Sequence, residues 1–125
     1  MRFLLDLLVM NNVPANPELT YYIAVILYES TSNLPGYKPL YQESFVLIKG
    51  ASEEDAKVKA QDYGLKEETS YLNENQQMIV WSLKKIIDVT PVLEETLSDG
   101  SEVYTRHFRN YEAYWAFEPL LGGEL

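Results

Sequence analysis

The stretch Thr20-Tyr21-Tyr22-Ile23-Ala24-Val25-Ile26-Leu27-Tyr28-Glu29 decides how this chain folds. β-Branched and aromatic residues dominate it, and both alternating sets are apolar. Tyr22, Ala24, Ile26 and Tyr28 fall on one side; Tyr21, Ile23, Val25 and Leu27 fall on the other. Successive side chains of a strand point to opposite faces, so a strand apolar on both must be central and covered on both sides. The fold therefore needs a sheet with material packed above and below it.

Reading outward, Ser30 to Pro39 is a long connection, marked by Asn33, Pro35, Gly36 and Pro39. Tyr41 to Lys49 reads as a second strand returning beside the first. Ser52 opens the clearest helix: its side chain can cap, Asp55 sits three residues on, and Glu53, Glu54 and Asp55 meet the positive end of the dipole. Glu53 with Lys57 and Asp55 with Lys59 are i,i+4 pairs. Ala56, Ala60 and Tyr63 line the opposite side, and Gly64 reads as the left-handed stop. Thr69 to Asn73 is a short strand, and Gln77 to Val89 a long one with Ile79, Trp81, Leu83, Ile87 and Val89 on one face. Asp99-Gly100 is the strongest hairpin signal and joins predicted strands Val92–Leu97 and Ser101–Phe108. The expectation is an α+β fold: a mostly antiparallel sheet of about five strands, in the order strand-strand-helix-strand-strand-strand, with one helix on a face and short terminal helical segments.

In domain terms, residues 20–109 form one α+β domain, preceded by an apolar segment and connector (1–19) and followed by an aromatic tail (110–125). The 125 residues suffice to bury a core without staples. The chain has no cysteine, which excludes disulfides, thiol nucleophiles and Cys-ligated zinc. Ten Lys and Arg against 19 Asp and Glu give a net charge of −9, so long-range attraction to nucleic acid or anionic lipid is excluded. The opening Met1-Arg2-Phe3-Leu4-Leu5-Asp6-Leu7-Leu8-Val9-Met10 is broken by Asp6 and too short to span a bilayer, so it reads as an internal segment. A cytoplasmic location is expected.

Five runs carry a family resemblance: Tyr21-Tyr22-x-Ala24; Ser52-Glu53-Glu54-Asp55-Ala56 with Lys59-Ala60; Thr69-Ser70-Tyr71; Trp81-x-Leu83; and Asp99-Gly100-x-Glu102-Val103-Tyr104-Thr105-Arg106. Over about residues 21–108 the chain resembles DUF4288, a bacterial family known as a domain of unknown function. The last run is the most specific. The resemblance implies a shared domain and transfers no catalytic residue.

Candidate chemistry is sparse. His107, the single histidine, would need a nucleophile and an orienting carboxylate to act as a base, and no nucleophile elbow is present. The plainer reading is a solvated histidine at a strand end. Glu53-Glu54-Asp55, Glu67-Glu68 and Glu94-Glu95 are adjacent rather than convergent carboxylates, and Asp55-Ala56-Lys57 is better explained by helix capping than as part of a nuclease motif. The six glycines match no phosphate-binding loop. No cofactor and no metal are expected. Lys84-Lys85 and Arg106-x-x-Arg109 would make a local anion site with Tyr104 and His107 if the long and last strands were neighbours; otherwise they guard strand edges.

The ends hold the surplus apolar surface. Phe3, Leu4, Leu7 and Leu8 recur at helical spacing; Tyr111, Tyr114, Trp115, Phe117 and Leu121 ride a short helix capped by Asn110 and stopped by Pro119. A short helix is unstable alone, so these segments either close the monomer or meet a partner. The leading expectation is a non-enzymatic interaction or assembly module, forming a homodimer or binding another protein, with no nucleic acid or membrane partner. The alternative is a small-molecule or phosphate-binding domain, or a weak hydrolase, built on Tyr104, Arg106, His107 and Arg109.

Overall fold

A computed structural model describes residues 18–94 and 96–124. Phe3, Leu4, Leu7 and Leu8 lie outside the described residues. Among the described residues, four strands and two helices follow in the order β1 (Thr20–Ser32), β2 (Tyr41–Gly50), α1 (Glu53–Lys66), β3 (Thr69–Leu72), β4 (Met78–Pro91) and α2 (Tyr111–Phe117), with a 3-10 turn at Pro119–Leu121. The strands form one antiparallel sheet in the order β2-β1-β4-β3. The class is α+β and antiparallel as the pattern required, and β1 is central and buried on both faces.

Each face has its own core. On one, Tyr22, Ala24, Ile26 and Tyr28 join Ile48 and Val89 beneath Ala56 and Ala60 of α1. The two alanines are fully buried, and their small size lets the helix backbone approach the sheet. On the other, Ile23 and Val25 meet Val92, with Tyr21 and Tyr104 packed beside them.

The helix begins as its sequence dictates. The Ser52 hydroxyl oxygen accepts from the Asp55 amide at 3.1 Å, and Asp55 Oδ2 accepts from the Ala51 amide at 2.8 Å. Lys57 and Lys59 reach Glu53 and Asp55 at 3.3 and 3.6 Å. Its end departs from expectation. Gly64 is buried inside the helix, which runs on to Lys66. A Cβ there would meet Leu83 Cδ1 at 3.0 Å and Ile26 Cγ2 at 3.6 Å, so the glycine serves close approach to the sheet rather than a left-handed stop. Tyr63, expected on the buried side, is partly exposed.

The sheet also corrects the reading of the long strand. Pairing to β1 shifts register between Val25 and Ile26 and again between Leu27 and Tyr28. Each shift inserts one extra residue on β4 and inverts its alternation. Ile86 therefore packs into the helix-side core while Ile87 is exposed, the reverse of strict alternation.

The largest correction concerns the last predicted strands. The turn at Asp99-Gly100 forms, with the Ser101 amide donating to the Ser98 carbonyl at 3.0 Å, but among the described residues neither Val92–Leu97 nor Ser101–Phe108 contains a strand. The Val92 amide makes one last ladder-like bond to the Tyr21 carbonyl at 2.9 Å, just after Pro91. From there the segment crosses the face of the sheet, contributing the side chains of Val92 and Tyr104 instead of backbone pairs at an edge.

Length explains one more feature. A strand rises about 3.3 Å per residue and a helix about 1.5 Å. The 13 residues of β1 thus outrun the 14 residues of α1 by roughly half the strand's length. Beyond the helix end, the far portion of β1 is covered differently: Ser30, fully buried, exchanges hydrogen bonds with the Tyr37 hydroxyl at 2.7 Å and the Leu40 amide at 2.9 Å from the β1–β2 connection. Among the described residues no helix is long and apolar enough to cross a membrane.

Candidate functional site

The residues singled out from the sequence lie on the arm that follows β4. Tyr104 anchors it. Its hydroxyl donates to Asp88 Oδ2 at 3.0 Å, and its ring tilts against Phe45 at 5.7 Å between centroids. Burial and this hydrogen bond to a carboxylate both raise the Tyr104 pKa above the ordinary tyrosine value. The hydroxyl is thereby committed to holding the arm on β4.

Arg106 and His107 come together. With Phe108, Asn110, Ala113, Tyr114 and Phe117 they line a cleft of about 460 Å³ whose far wall is Glu43 of β2. His107 also borders a second recess with Thr90, Pro91, Leu93 and Tyr104. Arg109 lines neither and is exposed. Because Ser101–Phe108 is not a strand beside β4, the two lysines do not join these arginines across a ladder. Lys84 instead pairs with Glu29 at 3.5 Å and lies over the Tyr41 ring at 5.8 Å. Among the described residues no three His, Asp or Glu side chains gather as a metal site would require.

The aromatic tail is ordered from within. Asn110 Oδ1 accepts from the Ala113 amide at 2.9 Å, the expected cap, and Phe108 stacks on Tyr114 at 4.8 Å with planes 14° apart. Gly122 is left-handed at φ 94° beneath the Trp115 ring. The next residue turns the chain back, the Gly123 amide donating to the Glu118 carbonyl at 2.8 Å and Glu124 to Ala116 at 3.0 Å. A Cβ on Gly123 would fall 2.6 Å from the Ala116 and Trp115 carbonyl oxygens, so only glycine fits. The adjacent pair Gly122-Gly123 after a Pro-stopped helix was the sequence signal for this knot.

What the knot presents is apolar. No residue of α2 is buried. Tyr111, Trp115 and Phe117 are about half exposed or more, and Leu120 is 92% exposed. Among the regular elements, α2 neighbours only the 3-10 turn that follows it.

The DUF4288 family, described as a domain of unknown function, matches residues 21–105. The chain belongs to this family. No curated protein and no solved structure matches the chain. The matched DUF4288 region holds all of the sheet but Thr20, together with α1 and the Tyr104 anchor, and ends at Thr105. Arg106, His107, Arg109 and the aromatic knot follow it. The cleft bounded by Glu43 is thus built between the family domain and an appended segment.

Proposed function

We propose that this protein is a non-enzymatic assembly module of the bacterial cytoplasm, and that its terminal arm docks on a second copy of the chain. One observation carries the reading: α2 is seven residues long, buries none of them in its own monomer and displays Tyr111, Trp115 and Phe117 beside Leu120 and Leu121. Exposed aromatic surface of this kind marks interaction sites. Tyr, Trp and Phe are enriched where proteins meet, and two-fold dimers are the commonest means of burying such surface. The exposure of Phe45 and Leu47 of β2, on the sheet face away from α1, supports the same reading.

Light scattering coupled to gel filtration tests it. The full chain at micromolar concentration is expected to run at twice its 14.4 kDa mass. The double substitution Trp115→Glu with Phe117→Glu is expected to return it to the monomer with an unchanged circular dichroism spectrum. A monomeric wild type, or a dimer indifferent to both substitutions, would reject the arm as the interface.

A further inference from the structure

Where α1 ends and the sheet continues, a recess of about 260 Å³ opens on the helix side, away from the arm. Its floor comes from the four adjoining strands. Tyr28 of β1 pairs with Gln42 of β2, Ser44 lies one step along, and Trp81 of β4 stands between Ser30 and Thr69. Tyr63 and Glu67 form the wall at the end of the helix.

The chemistry of this lining is consistent. Three aromatic rings, Tyr28, Tyr63 and Trp81, share it with a single charged group, the Glu67 carboxylate; no Lys or Arg borders it. Among the described residues that carboxylate takes part in no ion pair and accepts no hydrogen bond. The wall is also the C-terminal end of α1, where the Glu67 amide bonds back to the Tyr63 carbonyl at 3.2 Å and the helix dipole is negative. Ring faces, a carboxylate and a helix C-terminus all favour positive charge. The net charge of −9 adds to the same field.

A second observation concerns Tyr28. Tyr28 is 5% exposed, and its hydroxyl is buried without a hydrogen bond. A hydroxyl without a partner leaves its oxygen lone pairs unengaged, and these too favour a positive charge nearby. Burial, with Tyr63, Glu67 and Glu68 close by, raises its pKa, which places that hydroxyl in the negative field of the recess.

We propose that this recess binds a small organic cation, an alkylated ammonium group seated against Trp81, Tyr28 and Tyr63 with Glu67 as its counter-charge. Gln42, Ser44 and Thr69 then supply neutral hydrogen bonds to the remainder of the ligand. An anion finds no positive group in the lining, and a bare metal ion finds one carboxylate where it needs several oxygens. The inference is independent of the assembly reading, since recess and arm lie on opposite faces of the sheet.

Choline chloride is the probe, titrated into the full-length protein while the indole N–H signals of its two tryptophans are followed by NMR. Trp81 is expected to shift and saturate while Trp115 stays still. Dimethylbutanol, the neutral isostere with carbon in place of nitrogen, and glucose are expected to leave Trp81 unmoved. Glu67→Gln, an exposed change at a helix end, is expected to weaken choline binding by roughly fivefold or more. Absence of a saturable shift overturns the proposal. So does an equal response to dimethylbutanol or glucose, which would make the recess a site for neutral molecules, or undiminished binding by the Glu67→Gln protein.

Discussion

The two faces of β1 carry almost the same side chains and are covered by different kinds of structure. On the Ile26 side lies α1, a capped helix whose alanines seat it on the sheet. On the Ile23 side lies an irregular arm, held by Val92 and by the single hydrogen bond of Tyr104 to Asp88. The helix satisfies its own backbone and presents a regular, rigid surface, so its cover is closely packed. The arm has no ladder of its own and touches the sheet at a few side chains, leaving Phe45 and Leu47 open. Burial of the strand is therefore continuous from Tyr22 to Ser30 on the helix face and confined to Ile23 and Val25 on the arm face. The helix face is the closely packed one, and the arm face is the one that leaves apolar side chains open.

Two substitutions of one residue type put that comparison at risk. Ile26→Ala empties a fully buried site between Gly64, Leu83 and the alanines of α1, where nothing is free to collapse. It is expected to cost toward the upper part of the about 2–5 kcal/mol range for such truncations. Ile23→Ala empties an almost equally buried site under Val92 and Tyr104, which can settle inward, and is expected to fall at the lower end of the same range. Urea denaturation of the two variants gives the difference directly. Equal losses, or a larger one for Ile23→Ala, would mean that the arm is as rigid a cover as the helix.

A smaller effect separates the two covers by how they are tied down. Ser52→Ala removes the acceptor for the Asp55 amide and is expected to cost about 1 kcal/mol, the usual value for a lost cap. Asp55 then keeps its bond from Ala51, the main reason its carboxyl titrates below the ordinary aspartate range, with Lys59 assisting. A depressed folded pKa stabilises above the unfolded value and fades as pH falls through the folded one. Asp55→Asn is therefore expected to match the wild type in strong acid and to lag behind it near neutrality. A deficit that did not shrink on acidification would assign the loss to helix packing instead of charge.

These pairs also show what was legible in the sequence. The apolar doublet of faces in Thr20–Glu29 announces a central strand because any cover, whatever its source, must meet both faces, and Ser52 with Asp55 announces the start of α1 because its cap is made within four residues. Gly64 misled because glycine serves two purposes, left-handed turns and close approach, and only the neighbour Leu83 distinguishes them. Ile86 and Ile87 exchanged places because bulges are a property of two paired strands, not of one. Asp99-Gly100 made its turn, but its flanks found the Ile23 face before they found each other. Tyr104, Arg106 and His107 stand out in the sequence, and the structure places the last two in one cleft while giving the Tyr104 hydroxyl to Asp88. The recess at Tyr28 went unseen, since Gln42, Glu67 and Trp81 become neighbours only through the strand order and the shortness of the helix.

The smallest effect tests the Tyr104 anchor of the arm. Tyr104→Phe keeps the ring against Phe45, Ile23 and Val25 and removes only the hydroxyl that donates to Asp88. The expected loss near neutrality is about 0.5–1.5 kcal/mol, the net worth of a single hydrogen bond. Its pH dependence is the sharper measurement. The folded protein holds the Tyr104 proton more tightly than the unfolded chain does, through burial and the neighbouring carboxylate, so the group's contribution is fully present below the unfolded pKa of about 10. It declines as pH rises through the folded pKa, when a phenolate would face Asp88 and the bond becomes a repulsion. Tyr28, raised by burial on the opposite face, titrates in both proteins and cancels in the comparison. The stability gap between wild type and Tyr104→Phe is thus expected to be constant through neutral pH and to close in strong alkali. The wild-type arm should then become susceptible to proteolysis between Val92 and Tyr104 while α1 stays protected. A gap that stays constant into strong alkali would show that the anchor is packing alone, and that the two covers of β1 differ less than their backbones do.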